Sequence, residues 1–426
     1  MVGRLQLLVI AGVLVVAAFS TGADFLFFLV YLGLLVGGGA YVVTRLGLSD
    51  LEAGYALSQL HGSVGEHLRV TYTLRNTSRL PKPWLEVEQG SNLPFPLPGR
   101  AIALGPRSER TWAMRVPLSR RGHFRIDPLQ VRTGDPFGLF EASAAVGTGS
   151  TLIVYPRVEL LPFWHLPPTG VEGDKASRVR AYQTTPLVTS VRPYAPGDGY
   201  NRIHWPTTAR HQEIHVKEFD LEQAADVLVF LDLDASVHRG QGDDSTIEAA
   251  VRVAAATAGQ ALRDNRAVGL TALGHRRTVL PADRGPRQYQ KVMQALAAAQ
   301  ADGETPLPEL LSEGLVRLRR GMTVLVVTPS LDTSWVRPLA ALRPLGVATA
   351  VCHLDAVAFD ALAHPATGGR AAVEAAERAR ADAERAVRSV LHALAEYEVP
   401  VHPIAPRRPL GELLVTPGAT AMRRSV

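Results

Sequence analysis

The chain has 426 residues, 46% hydrophobic and 20% charged, which is long enough for two or three folded units and apolar enough to give each a core. Its net charge of +5 is mild and its arginines are spread along the chain, so no nucleic-acid groove is expected, and anionic lipid explains the basicity equally well. A lone cysteine, Cys352, excludes an internal disulfide framework and suits a reducing compartment.

Residues Leu5–Phe19 are almost wholly apolar, and after a polar break at Ser20–Asp24 a second apolar run extends from Phe25 to Val43. At about 1.5 Å rise per residue, roughly 20 residues cross a hydrocarbon core of about 30 Å. The second run fits and the first is slightly short, a mismatch that tilt absorbs. A secretory signal peptide is the competing reading, but another apolar stretch arrives where a polar mature segment would begin. The expectation for residues 1–47 is therefore a transmembrane helical hairpin. Arg4 and Arg45 flank it while its loop carries only Asp24, so positive-inside logic puts both ends and the following body in the cytoplasm.

Residues 48–160 change to a period of two. Leu68, Val70, Tyr72 and Leu74 alternate with Arg69, Thr71, Thr73 and Arg75, the pattern of a half-buried strand. Short runs near residues 84–87, 112–116, 129–131 and 152–155 repeat it, separated by Gly and Pro clusters such as Leu93–Gly99. A small antiparallel β-sandwich-like domain is expected, structural or partner-facing, with no active site.

Residues 161–221 form a linker carrying an unusual segment. Arg192, Arg202 and Arg210 occur with Asp198 and Glu218, beside Tyr194, His204 and Trp205, and Pro196-Gly197-Asp198 is turn chemistry. The favoured reading is a buried ion-pair and stacking network clamping the segment in place, Arg being suited to bidentate pairing. The alternative is an exposed partner surface anchored by Arg, Tyr and Trp. His211 and His215 stand at i and i+4, but the Glu that a zinc protease needs directly after the first His is replaced by Gln212. Residues 213–219 alternate as a strand, so catalytic zinc is not expected.

From 222 to 406 buried strands alternate with amphipathic helices, and 407–426 is a tail. Residues 227–233 read as a continuous apolar strand, and Ser245-Thr246-Ile247-Glu248 as a capping box opening a helix toward Arg263. Strands follow at 268–273, 323–328, 347–351 and 399–404, with 278–280 as an antiparallel edge and helices near 286–299, 306–318 and 371–397. The expected fold class is α/β, a doubly wound and mainly parallel sheet. Ligands of such sheets sit beyond the carboxyl ends of the strands. Asp232, Asp234 and Ser236 follow the first strand, Thr305 lies in the loop before a helix, and Asp332 follows the strand 323–328. These are hard oxygen donors of the kind that hold Mg²⁺. Thr305 has a plainer reading as the N-cap of a helix with Pro306 at its first position. No GxSxG elbow or Walker A loop is present.

This spacing resembles the metal-ion-dependent adhesion site of von Willebrand factor A domains. Asp232, Ser236 and Thr305 fit the family pattern; Asp234 replaces the first Ser, and the late Asp is displaced to Asp332. The segment Arg192, Tyr194, Gly197, Asp198, Arg202, Ile203, Trp205, Ala209, Arg210 and Glu218 resembles the signature of the bacterial "domain of unknown function 58" family, over roughly residues 50–405, and Asp135–Phe140 is also typical. The resemblance implies a membrane-tethered scaffold without catalytic activity, partnering a MoxR-type AAA+ ATPase and other membrane or von Willebrand A-domain proteins in envelope-associated assembly or stress response. A bound Mg²⁺ would make that binding cation-dependent. The alternative function is a Mg²⁺-assisted hydrolase acting at the Asp232/Asp234 rim, with His238 or Asp332 as its base.

Overall fold

Both N-terminal apolar runs are helical: α1 spans Val2–Thr21 and α2 spans Asp24–Gly47, with Gly22 turning the chain at φ +67°. The structure, a computed structural model, describes residues 2–161, 164, 188–195, 200, 203–219, 226–315, 318–364 and 370–414. Among them one helix, α2, is long and apolar enough to cross a membrane; α1 contributes a shorter apolar stretch among the described residues, Val9–Thr21. The finding is one span by length and composition, where the sequence led to an expectation of two. The chain divides into two compact units, Met1–Arg157 with Met293–Ala298, and Val158–Val292 with Ala299–Val426.

The first unit continues through nine strands: β1 Leu51–Leu57, β2 His61–Ser63, β3 His67–Asn76, β4 Lys82–Ser91, β5 Arg100–Leu104, β6 Glu109–Pro117, β7 Gly122–Gly134, β8 Glu141–Val146 and β9 Ser150–Tyr155. They form an antiparallel sheet β1-β3-β6 and a second sheet β2-β9-β7-β4-β5, with β8 beside β7. Period-two alternation explains the core. Leu68, Val70, Tyr72 and Leu74 of β3 share one apolar cluster with Leu85 of β4 and Ile126 of β7, strands of the opposite sheet. The Tyr72 hydroxyl, buried there, donates to Gln89 at 2.8 Å, because an unpaired phenol would be costly in such a core.

The last turns of α2 belong to this unit. Ala40, Thr44 and Gly47 are buried along one face, and a Cβ on Gly47 would stand 2.7 Å from the Thr133 methyl. Lys82, only 1% exposed, aims its ammonium at the end of the helix, donating to the Leu46 and Ser49 carbonyls. Helix ends leave carbonyls unpaired, and a cation there also suits the dipole.

In the second unit, β10 (Val188–Pro193) and β11 (His215–Phe219) pair antiparallel on either side of α3 (Trp205–His211). Next come β12 Val227–Leu231, α4 Thr246–Arg263, β13 Val268–Leu273, β14 Arg277–Asp283, α5 Gly285–Ala298, α6 Leu307–Leu315, β15 Thr323–Thr328, α7 Val336–Ala340, β16 Ala348–Leu354, α8 Ala356–Ala363, α9 Arg370–Glu396, β17 Val401–Ile404 and α10 Leu410–Leu413. The six strands lie in the order β14-β13-β12-β15-β16-β17. All neighbours are parallel except β13 and β14. The central strands β12, β13 and β15 are buried at every position, as strands covered on both faces must be. The protein is thus mixed α/β, with several sheets and ten α-helices among the described residues.

Ser245 caps α4 as expected, its hydroxyl accepting from the Glu248 amide at 3.4 Å. Helix α6 passes so close over β12 that a Cβ on Gly314 would lie 2.1 Å from the Phe230 ring. Residues just after the β unit are tied into the α/β unit: Glu159 accepts from Arg252 Nε at 3.0 Å and from the Leu410 amide at 2.9 Å.

Candidate functional site

The chain leaves β12 toward β13 on one side and returns to β15 on the other, so the order reverses between β12 and β15, where sheets of this kind open a crevice. Asp232 follows β12 directly and is 1% exposed. Thr328, the last residue of β15, donates its hydroxyl to Asp232 Oδ2 at 2.6 Å. Asp232 Oδ1 accepts from the Asp234 amide at 3.1 Å. Burial pushes the Asp232 carboxyl up to about 6, although Thr328 and the Asp234 amide pull the other way; the Asp234 charge adds to the rise. No arginine or lysine is among the groups that shift it.

The loop before α6 is stitched to the same place. Asp234 and Gly303 form a parallel bridge; the Ala235 amide donates to Gly303 O and the Gly303 amide to Leu233 O, each at 2.9 Å. Gly303 is required, since a Cβ would meet Leu273 O at 2.4 Å. Thr305, two residues beyond the Gly303 bridge, is half-buried. It is not the N-cap of α6: the helix begins at Leu307, and the Glu309 and Leu310 amides donate to Pro306 O, which stands at the cap. Among the described residues, the hydroxyls of Thr305 and Ser236 have no hydrogen-bond partner. Asp234 Oδ1 accepts from the Ser236 amide at 2.9 Å.

Asp332 stands apart from that arrangement. It is exposed, and both its carboxylate oxygens accept from Ser334, one from the amide at 3.1 Å and the other from the hydroxyl. The Ser334 hydroxyl holds its carboxyl below the usual range. No group of three His, Cys, Asp or Glu among the described residues is arranged to hold a metal ion. Any cation at the rim would thus rest on Asp232, Asp234 and hydroxyl oxygens.

Two residues around the crevice, Thr328 and His353, carry no local sequence signal as site residues, and His238 is expected from the sequence only as a base. Thr328 reads only as the end of an apolar strand. His238 is fixed at both ring nitrogens: Nε2 donates to Asp232 O at 3.0 Å and Nδ1 faces the Thr246 hydroxyl at 2.9 Å. Burial lowers its pKa, so the ring is neutral. His353, buried on β16, donates from Nε2 to Ser330 O at 3.1 Å, while the Ser330 amide donates to Thr328 Oγ1 at 2.9 Å. The ends of β12, β15 and β16 are thereby linked by one polar chain.

In the signature segment, several charges of the expected clamp lie outside the described residues, and α3 itself is on the surface. Trp205 is 67% exposed, Arg210 is exposed and no residue of α3 is buried. Tyr194 and Tyr200 stack at 6.5 Å, and His204 Nδ1 faces the Thr207 hydroxyl at 2.7 Å, capping α3. Arg192 donates to Pro193 O at 3.1 Å, and Glu218 sits in β11 opposite Ser190. Gly197, Asp198 and Arg202 lie outside the described residues. His211 ends α3 and does not extend the strand; Gln212, at φ +55°, turns the chain so that the His211 and His215 rings meet at 5.4 Å.

The fold and rim define a mixed α/β protein with a mainly parallel sheet, a carboxylate at its switch point and a membrane-length N-terminal helix. Within it, residues 190–391 match the family described as "Protein of unknown function DUF58". It is similar to the uncharacterized protein YeaD of Bacillus subtilis, 25% identical over 300 residues, covering 68% of this chain and 71% of that one. It is also similar to the uncharacterized protein Rv1480 of Mycobacterium tuberculosis, 30% identical over 170 residues, but there the match covers 38% of this chain and 53% of the relative. Among solved structures, the CARDB domain of a Pyrococcus furiosus protein in complex with di-metal ions has a TM-score of 0.20 and 15% identity, covering 25% of this chain and 92% of that one. A likeness of that size carries no argument.

Proposed function

We propose that the protein is a membrane-anchored binding protein whose α/β unit is von Willebrand factor A-like and whose partner docks at the Asp232–Thr305 rim. The observation that carries this reading is the bridge that joins Asp234, next to the buried Asp232, to Gly303 in the loop that carries Thr305, at the point where the sheet order reverses. The strand order, with a single antiparallel strand at the β14 edge, agrees with that family resemblance. A buried carboxylate lacking a cationic side chain beside it favours a bound cation, and the unpartnered Ser236 and Thr305 hydroxyls are the oxygen donors Mg²⁺ accepts. Asp232, Asp234, Ser236 and Thr305 would hold the ion, which supplies an open coordination position for a partner's carboxylate. Asp332 is left out of the set because no group of three acidic or histidine side chains among the described residues is arranged to hold an ion.

A binding role is favoured over the hydrolase alternative because the two candidate bases are engaged, His238 at both ring nitrogens and Asp332 at both oxygens. The exposed Trp205 and Arg210 supply a second contact surface of the composition that partner anchors use. The length of α2 supports anchoring in the bacterial inner membrane; a two-pass hairpin with the body in the cytoplasm follows from the charges at Arg4, Asp24 and Arg45. The partner we propose is a MoxR-type AAA+ ATPase, as the family resemblance implies.

The test is affinity capture of that ATPase by the full chain in detergent, with Mg²⁺ or with EDTA, comparing wild type with Thr305→Val and Ser236→Ala. Capture that is Mg²⁺-dependent in wild type and lost in both variants is expected. Equal capture in all conditions would remove the cation from the mechanism, and no capture would remove the ATPase.

A further inference from the structure

The turn between β7 and β8 presents a rigid aromatic tip beside the C-terminal end of α2. Asp135 is buried, and its carboxylate accepts from the Phe137 amide at 2.8 Å and from the Phe140 amide at 2.6 Å. The Asp135 amide donates back to Phe140 O at 3.3 Å, the Gly138 amide donates to Asp135 O at 3.2 Å, and Gly138 takes φ +70°. Burial alone would raise the Asp135 carboxyl, but the surrounding backbone amides outweigh it and hold it below the usual range. The carboxylate is thus a fixed clamp, and what it clamps points outward: Phe137 is 65% exposed. Between Asp135 and Glu141 the turn, Pro136-Phe137-Gly138-Leu139-Phe140, has no charge.

Phe137 and Phe140 together expose apolar surface on a hydrogen-bonded turn, the kind of patch that marks an interaction site when it adjoins others. The position of the turn along α2 identifies what covers it. Phe140 meets Tyr41 of α2 edge-on at 5.6 Å. Counting from Phe25, about 20 residues of helix fill a hydrocarbon core of about 30 Å, which ends near Thr44. Tyr41 is one turn short of that end, at interfacial depth, and Phe140 is level with it. Arg45, whose Nε donates to the Tyr41 hydroxyl at 3.4 Å, sits at the headgroup boundary where a cation belongs. Trp84, partly exposed, lies against the same turn: a Cβ on Gly134 would be 3.2 Å from both its ring and Phe140 O. Outside the docked face of α2, Tyr41, Val42, Val43 and Leu46 stay exposed.

We propose that the β7–β8 turn is a membrane-interface anchor: Phe137 and Phe140, with Trp84 beside them, dip into the headgroup and upper acyl region of the bilayer that α2 crosses. The inference rests on the reading of α2 as a membrane span. Aromatic rings at this depth, combined with the Lys82 clamp on the helix end, hold the β unit at a set height and tilt on the lipid surface. A flexible linker at Gly47 would leave both free.

The experiment uses the full chain in nanodiscs of phosphatidylcholine and phosphatidylglycerol. Cys352 is buried and is replaced by Ala, and a polarity-sensitive fluorophore is attached at one new cysteine at a time: Phe137→Cys, Leu35→Cys in the exposed face of α2, or Arg120→Cys. Arg120 precedes the far end of β7, roughly 40 Å from the turn at about 3.3 Å per residue. The label at 137 is expected to be blue-shifted, quenched by nitroxide lipids more strongly at shallow than at deep acyl positions, and shielded from iodide several-fold relative to 120. If 35 is quenched by the deep nitroxide while 137 is as open to iodide as 120, the anchor is wrong and the membrane span stands. If 35 is itself open to iodide, the span falls and the anchor with it.

Discussion

The hydroxyl of Thr328 and the carboxylate of Asp232 meet at 2.6 Å, joining the ends of two parallel strands whose residues are 96 apart in sequence. That bond is the closest support of a carboxylate which burial otherwise disfavours as an anion. Its removal is informative. Thr328→Val preserves shape and takes away the donor, and is expected to cost about 1–3 kcal/mol at pH 7 and to raise the Asp232 pKa further. Thr328→Ser is expected to recover most of the loss. Denaturant unfolding of the full chain in detergent measures both.

Asp232 also sets a pH dependence. Its folded pKa of about 6 lies above the ordinary 3.8, so the folded state binds the proton more tightly than the unfolded one. Its favourable contribution is full below pH 3.8 and is lost as pH rises through about 6. Asp232→Asn is therefore expected to gain about 1–2 kcal/mol over wild type at pH 8 without Mg²⁺ and little at pH 4. If Mg²⁺ occupies the rim, adding it stabilises wild type at pH 8 and leaves the Asn variant unmoved. Thermal melts at the two pH values, with and without Mg²⁺, read this directly.

Gly303 ties the loop that carries Thr305 to Asp234. Gly303→Val drives side-chain atoms into the carbonyls of Leu273 and Leu233, so the bridge to Asp234 must open. A loss of about 2–4 kcal/mol is expected, the range of overpacking combined with broken backbone bonds. Hydrogen exchange should report faster exchange at the Ala235 and Gly303 amides.

Lys82→Met keeps the bulk of the side chain but strands the carbonyls of Leu46 and Ser49. The expected cost is about 1–3 kcal/mol, with α2 released from the β unit. Limited proteolysis between Leu48 and Leu51 is expected in the variant and not in wild type.

Trp205→Ala removes an exposed ring and is expected to change stability by less than about 0.5 kcal/mol. If α3 is a contact surface, the same variant weakens capture of the partner. A large loss of stability would instead return the signature segment to a structural role.

Much of the architecture was legible because long, strongly patterned segments dictate their own state. Val324–Val327 admits only a strand covered on both faces, Ser245 can only cap, and the β3 alternation assigns inside and outside residue by residue. Short elements escaped: α7 and α8 have five and eight residues, too few for a period to declare itself, and α3 contains a Pro and two Thr with no apolar face.

Local patterning thus set the kinds of element and the rough position of the acidic rim, since period and composition act over a few residues at a time. It could not say that Thr328 would serve Asp232, that His238 would be locked rather than free, that Ser334 would claim Asp332, or that Trp205 would face outward. Those outcomes depend on which strand ends meet and on how much water each group loses there. Both are set by packing between residues far apart in the chain.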